Sequence, residues 1–542
     1  MSADAIERVA TETFGFSALR TGQREAIESV IGGRDTLVVM STGSGKSAIY
    51  QIAALLIEGP TLVVSPLIAL QRDQVESIEE AVPGEAAAVS SAVSEGEREE
   101  ALVDLSEGQN EFTFLAPEQL ANPEVLERTR EAQPSLVVID EAHCISEWGH
   151  DFRPDYLRLG AVVAELGHPP VLALTATASP PVREEIVERL GMRDANVIVR
   201  GFDRPNIRLS VETFRDEERK RRALMEACEE AGGPGIVYAA TRRTAEEIAQ
   251  ELTARGLRSA AYHAGMGVAR RDSIQNDFMD DKLDAIVATT AFGMGVDKPN
   301  VRFVMHHAIS ESVDSYYQEI GRCGRDDQPA EARLFYRTED VGLRRFFAGG
   351  QAEADLIDRV ARVVHAAGEP VEATELKEAV DCSETKLSAA VTRLEEVGAL
   401  ERLASGEVAP AGGAGDLEEK VEAAAEAEDQ RHRFDRSRVE MMRAYAEHGG
   451  CRREFVLTYF GEEYEGPCGN CDNCEAGQGE AADGERPWEV GAVVHHAEWG
   501  EGAVQRYDGD QVIVLFETVG YRTLGVPLVL ERDLLRADRA AS

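Results

Sequence analysis

The chain has 542 residues, 43% of them hydrophobic, enough for about three or four domains with sizeable cores. No apolar run approaches the roughly 18 residues a membrane helix needs, and residues 1–10 carry no basic-then-apolar leader, so no transmembrane helix is expected and the chain reads as a soluble cytoplasmic protein. A formal net charge of −42 repels nucleic acid: either the partner is something else, or the protein works at molar salt, where the Debye length is about 3 Å. Acids spread along the whole chain, rather than gathered in a tail, favour the second.

In chain order, Phe16, Arg20 and Gln23 come first. An aromatic, an Arg and a Gln can stack on and hydrogen-bond an adenine, although a core Phe and a surface Arg would look the same. The apolar run 36–40 reads as a buried strand and 48–57 as a helix. Between them stand Thr42, Gly43, Ser44, Gly45, Lys46 and Ser47, the strand–turn–helix pattern that cradles phosphates. The glycines let backbone N–H groups close on the ligand, the helix N-terminus adds positive charge, Lys46 reaches the β/γ-phosphates and the Ser47 hydroxyl meets Mg²⁺. Met40 occupies the first glycine position of the general pattern.

The buried strand 136–139 delivers Asp140 and Glu141 at its C-terminal end, where open parallel sheets place their sites. Asp140 suits Mg²⁺ coordination and Glu141 suits polarising the attacking water. A second α/β run begins near Arg208, and strands alternating with helices imply two parallel sheets. It leads to Arg322 and Arg325, read as two guanidinium groups on one face of a helical stretch, either a phosphoryl-transfer pair or a surface salt-bridge pair.

Residues 352–428 form an acidic insertion with helical spacing at Leu356, Ile357, Val360, Val363 and Val364, and again at Leu387, Ala390, Val391 and Leu394. Expected caps are Thr374 and Ser383, a short hairpin follows near 400–408, and the set reads as winged-helix-like. Residues 411–415 read as a tether. Four cysteines, Cys451, Cys468, Cys471 and Cys474, have the spacing of a tetrahedral thiolate site for Zn²⁺ or an iron–sulfur cluster. Residues 431–453 carry seven Arg against three acids, a local excess that suits a DNA-facing surface. After a linker at 477–487, short alternating strands over 488–537 read as a small SH3- or Tudor-like barrel, free to move on its tether.

In motif content, order and spacing, residues 1–345 resemble the RecQ family of superfamily 2 DNA helicases, whose phosphate loop takes the short T-G-S-G-K-S form. The resemblance implies two RecA-like lobes, residues 1–207 and 208–345, with ATP between them. It implies a zinc module at 429–476, and zinc rather than iron on the cysteines. It makes Phe16, Arg20 and Gln23 the adenine segment and Arg322 with Arg325 the arginine finger. It gives Trp148, Phe152 and Arg153, in the aromatic loop 144–154, the task of sensing single-stranded DNA. Glu147, Cys323 and Asp327 depart from the usual Gln, Ala and Gly of the family without removing a catalytic group. A winged helix after the zinc module and a C-terminal helical bundle, common in relatives, are not recognisable here. The 488–537 segment is similar to the C-terminal module of UvrD/PcrA helicases through residues 494–502, implying a protein partner such as RNA polymerase or a repair protein.

The expectation is a monomeric, ATP-, Mg²⁺- and Zn²⁺-dependent helicase moving 3′-to-5′ on single-stranded DNA and opening tailed or forked duplex in repair or recombination. The alternatives are an RNA helicase and an ATP-controlled clamp or docking protein. The acidic composition makes a prediction of its own. Binding through six phosphates normally weakens about 10⁵-fold for a tenfold rise in salt. Here a shallow slope is expected, with the melting temperature highest above about 1 M KCl, where the Debye length is near 3 Å. DNA-binding titrations and thermal melts across KCl check this; a steep slope with best stability at low salt would contradict it.

Overall fold

The computed structural model describes residues 3–537, apart from 67, 90–94, 147–151, 294–295, 297, 348–353, 404–406, 413–415, 463, 465 and 480–484. It divides into two compact units, one of Met1–Asp340 with Met442–Ala482, the other of Val341–Met441 with Asp483–Ser542. Among the described residues no helix is long and apolar enough to cross a membrane.

The first unit holds two sheets. The seven strands of the first are β1 (Thr36–Met40), β2 (Thr61–Val64), β3 (Ala86–Val89), β4 (Phe112–Leu115), β5 (Leu136–Ile139), β6 (Val171–Thr175) and β7 (Asn196–Arg200). Their order is β3-β4-β2-β5-β6-β1-β7 and every pairing is parallel. The central strands are buried along their whole length, so they read as continuous apolar runs rather than alternating ones. β1 and β5 flank β6, so the turns leaving these three strands meet at one edge.

The second sheet contains β8 (Ile207–Thr213), β9 (Gly235–Tyr238), β10 (Ser259–Tyr262), β11 (Ala285–Ala288), β12 (Phe303–His306) and β13 (Ala330–Tyr336), ordered β10-β11-β9-β12-β13-β8 and again all parallel. Gly235 opens the central strand β9 because its cross-strand partner Phe303 lies over it: a Cβ there would stand 2.2 Å from the ring. Two parallel-sheet lobes of RecA type are thus present.

The second unit begins with three helices, Ala354–Ala367, Ala373–Val380 and Glu384–Glu396, and a hairpin of β14 (Leu400–Arg402) with β15 (Val408–Pro410). Leu356, Ile357, Val360, Val364, Leu387, Ala390, Val391 and Leu394 are buried in one core, as their spacing predicts. Ser383 caps its helix, accepting from the Lys386 N–H. Thr374 does not: that helix already starts at Ala373, after Glu372. The helix Leu417–Glu447 runs unbroken through 428, where a boundary was expected, because no Gly or Pro interrupts it.

The C-terminal residues form β16 (Val493–His496), β17 (Gly500–Asp508), β18 (Gln511–Phe516), β19 (Gly520–Gly525) and β20 (Leu535–Ala537), antiparallel in the order β19-β18-β17-β16-β20. They form one five-stranded antiparallel sheet, roughly consistent with the expected small barrel, and among the described residues no pairing joins the edge strands β19 and β20. Nor is it loose on a tether. The Tyr521 N–H donates to Ser437 Oγ at 3.0 Å, and the Tyr521 ring lies 6.0 Å from that of Phe434 on the long helix.

Candidate functional site

The phosphate loop joins β1 to the helix Ser47–Ala54. Gly43 and Gly45 adopt φ of 79° and 77°, the left-handed region that other residues enter at a cost. A Cβ on Gly45 would also stand 2.8 Å from Gln23 Nε2, so glycine serves both backbone and packing. Lys46 folds back over the loop, its Nζ donating to Met40 O (3.0 Å) and Ser41 O (3.3 Å). Met40, in the first glycine position of the general pattern, thus supplies a carbonyl to Lys46. Ser44 is buried, and among the described residues its Oγ has no hydrogen-bond partner.

Residues 16–23 wrap this loop. Gln23 Nε2 donates to Gly45 O (2.8 Å) and Ser44 O (3.1 Å), while Gln23 Oε1 accepts from Arg20 N (2.7 Å). The Arg20 guanidinium donates to Gly43 O. Phe16 stacks on Phe14 at 5.8 Å. Arg20 and Gln23 are therefore held on Gly43–Gly45 of the phosphate loop, while Phe16 packs on Phe14.

Asp140 and Glu141 follow β5. Burial, and then the neighbouring Glu141 charge, push the Asp140 carboxyl up to about 7 against the pull of Lys46. Burial also raises Glu141, but the His143 imidazole, Lys46 and Arg322 outweigh it and hold this carboxyl below its ordinary value. Burial lowers Lys46 in turn, opposed by both carboxylates. Glu141 sits at φ 48°, ψ 45°, an uncommon conformation for a residue other than glycine. His143 Nδ1 lies 3.3 Å from Glu141 Oε2 and 2.9 Å from Thr175 Oγ1. Thr175 hydrogen-bonds Thr177, whose Oγ1 accepts from Gln318 Nε2 of the second lobe at 3.1 Å. A polar chain thus links the second lobe to Glu141.

Arg322 and Arg325 come from that lobe. The helix Val313–Ile320 stops before them, so they stand in a turn rather than on one helical face, with Gly324 at φ 62° reversing the chain. Arg322 is buried, and its charge reaches Glu141. Arg325 packs on the phosphate loop: a Cβ on Gly43 would be 3.5 Å from Arg325 Cγ. A residue without an obvious sequence signal, Arg204 of the segment between β7 and β8, joins both parts. It donates to Thr42 O (3.2 Å), Gly321 O (3.3 Å), Cys323 O (3.0 Å) and Gly324 O (2.9 Å).

Trp148 lies outside the described residues. Phe152 and Arg153 are described and half-buried; Arg153 donates to Pro66 O at 2.9 Å in the turn after β2, next to the strand that delivers Asp140.

The four cysteine sulfurs all lie within 4.8 Å of one another, with Cys451 and Cys471 buried and Cys468 and Cys474 half-buried. Cys468 and Cys474 Sγ are 3.8 Å apart, the edge of a tetrahedron with Zn–S bonds of about 2.3 Å. The N–H groups of Asn470 and Cys474 point at Cys468 and Cys471 Sγ, as thiolates require. The donor set fits a closed structural Zn²⁺ site. In the Arg-rich stretch 431–453, Arg433 and Arg436 are exposed, while four other guanidinium groups meet partners within the protein. Arg452 is buried against Asp472 (2.6 Å), and Arg453 donates to Arg204 O and Ile207 O. Arg438 and Arg443 face Asp435 and Glu447. Guanidinium groups buried without such partners would be unstable.

A lysine-bearing phosphate loop, paired carboxylates and arginines from a second RecA-like lobe define a nucleotide-driven motor of the helicase class. The chain matches the DEAD/DEAH box helicase model over residues 20–186, the helicase conserved C-terminal domain over 219–327 and the RecQ zinc-binding model over 414–475. It is similar to the probable ATP-dependent DNA helicase RecS of Bacillus subtilis, 35% identical over 86% of this chain and 92% of that one. It is also similar to the ATP-dependent DNA helicases RecQ of Haemophilus influenzae (35%, over 86% of this chain and 63% of that one) and of Bacillus subtilis (42%, over 61% and 56%). The chain belongs to the RecQ family of ATP-dependent DNA helicases. It spans 56–63% of the length of these two RecQ proteins. The likeness of residues 488–537 to the UvrD/PcrA module is not supported, and the RNA polymerase partner inferred from it loses its basis.

Metal analysis should return one Zn²⁺ and no iron per chain, and Cys471→Ser should lose the metal and lower the melting temperature. Structural zinc is worth about 10–16 kcal/mol of apparent binding energy in small modules. A folded, active Cys471→Ser protein without metal would contradict the assignment.

Proposed function

We propose that the protein uses ATP to move 3′-to-5′ along single-stranded DNA in the cytoplasm, as a monomer, opening tailed or forked duplex during repair or recombination. The observation that carries this reading is the convergence of Lys46, Asp140 and Glu141 of one lobe with Arg322 and Arg325 of the other, in a chain of the RecQ family. The polarity rests on that membership.

Thr42–Ser47 bind the phosphates through backbone N–H groups, with Lys46 on the β/γ-phosphates and Phe16, Arg20 and Gln23 on the base. Ser47 and Asp140 would hold Mg²⁺, which neutralises phosphate charge when bound. The raised Asp140 and buried Ser44 fit a pocket that a charged ligand completes. Glu141, kept ionised by its cationic neighbours, orients the attacking water and accepts its proton. Arg322 and Arg325 face the charge that develops on the transferring phosphoryl group. The polar path from Glu141 to Gln318 offers a route by which hydrolysis shifts one lobe against the other. Trp148, Phe152 and Arg153 would relay DNA binding, since Arg153 is tied to the turn after β2. Residues 1–207, 208–345, 352–428, 429–476 and 488–537 are taken as first lobe, second lobe, insertion, zinc module and C-terminal sheet.

Strand displacement with ATP and Mg²⁺ tests this directly, on 3′-tailed and 5′-tailed duplexes of DNA and RNA. The 3′-tailed DNA should be opened preferentially. Lys46→Ala should abolish hydrolysis, and Glu141→Gln should bind ATP without turning it over. DNA-stimulated hydrolysis with no displacement would favour the clamp reading, and equal opening of RNA would favour an RNA helicase.

A further inference from the structure

The two terminal nitrogens of the Arg204 guanidinium reach four backbone carbonyls at 2.9–3.3 Å, where a surface arginine would donate to water. One carbonyl, that of Thr42, belongs to the phosphate loop of the first lobe. The other three, of Gly321, Cys323 and Gly324, frame the turn that carries Arg322 and Arg325. Only a planar fork can hold such a set at once; a lysine ammonium is a point donor. Asn206 adds a second hold, Nδ2 donating to Gly324 O (2.8 Å) and Gln328 O (2.9 Å).

The segment bearing Arg204 is itself held from the zinc module. Arg453, two positions after the ligand Cys451, donates to Arg204 O (3.1 Å) and Ile207 O (2.6 Å), and Asn470 Nδ2 donates to Pro205 O (2.8 Å). Phe202 stacks on Phe460 at 4.6 Å, and its N–H donates to Glu462. Arg204 thus stands on an anchored segment and touches both halves of the ATP site through backbone alone.

We propose that Arg204 is a positioning residue for ATP hydrolysis: it sets the turn that carries Arg325 against the phosphate loop, so that Arg325 acts only when both lobes are engaged. The proposal rests on the reading of Arg325 as a transition-state group. Arg204 contacts no reacting atom; it acts through Arg325. Misplacing a catalytic group by about 1 Å can cost on the order of 10²-fold in rate.

The test uses the full chain with Arg204→Lys, Arg204→Ala, Arg325→Ala and the Arg204→Ala/Arg325→Ala double variant. It reads DNA-stimulated kcat, binding of a fluorescent ATP analogue, zinc content and melting temperature. Arg204→Lys and Arg204→Ala should each lower kcat by about 10²-fold, with nucleotide affinity, zinc and melting temperature close to those of the parent. The double variant should be no slower than Arg325→Ala alone, because the two act as one unit. If Arg325→Ala is slow while both Arg204 variants hydrolyse ATP within a few-fold of the parent, the positioning role is overturned. Losses that multiply in the double variant overturn it too, and so does unfolding of both Arg204 variants. If Arg325→Ala itself is not slow, the arginine reading fails instead.

Discussion

Two adjacent carboxylates, Asp140 and Glu141, are buried at the end of one strand, and the ATP site depends on how their charge is met. Burial pushes both towards their neutral forms, and a neutral Glu141 could not accept a proton from water. Lys46 answers this from the same lobe, and Arg322 from the other. The charge balance at this pair is therefore set by the two lobes together. The phosphate loop, the carboxylate turn and the Thr175–Thr177 turn leave three neighbouring strands, so a change in one is felt by the others. The hydrogen bond from Gln318 to Thr177 joins the second lobe to this cluster.

The zinc module belongs to the same logic. It sits against the edge strand β8, where Leu209 N–H donates to Asn470 O and Val211 N–H donates to Asp472. Asp472 also receives Arg452, so one carboxylate joins the metal-binding turn, the helix after Cys451 and the second lobe. Arg183 of the first lobe donates to Phe460 O. Four thiolates around a metal fix the turn that makes these contacts. Of the seven arginines that composition suggests for DNA, Arg453 holds the segment between the lobes and Arg452 the metal-binding turn.

Much of this was legible in the sequence because the signals were local. The phosphate loop, the strand ending in Asp140 and Glu141, and the Cys-x-x-Cys-x-x-Cys run each lie within a few residues, and each occurs where its spacing predicts. The apolar faces of the three insertion helices were equally readable from period alone. What was missed depends on distant partners. Arg204 looks like any linker arginine until Thr42 and Gly324 are brought to it. The Arg322–Arg325 pair suggested a helical face, but Gly321 ends the helix and Gly324 turns the chain. Local charge over 431–453 left open which arginines are spent inside the protein, because composition cannot tell the exposed Arg433 and Arg436 from Arg452, which faces Asp472. The C-terminal strands were readable, but their docking on Phe434 and Ser437 was not, since nothing near residue 520 specifies a helix 83 residues earlier at Ser437.

The central claim is that the second lobe stabilises the transition state of hydrolysis rather than the bound nucleotide. Titrating ADP and ADP–aluminium fluoride into the parent and into the Arg322→Ala/Arg325→Ala variant measures this most directly. Transition-state analogues bind on the order of 10²-fold tighter or more than ground-state ligands. The two-lobe site predicts that the variant keeps its ADP affinity but loses that preference. Equal weakening of both ligands, or an unchanged preference, would contradict it.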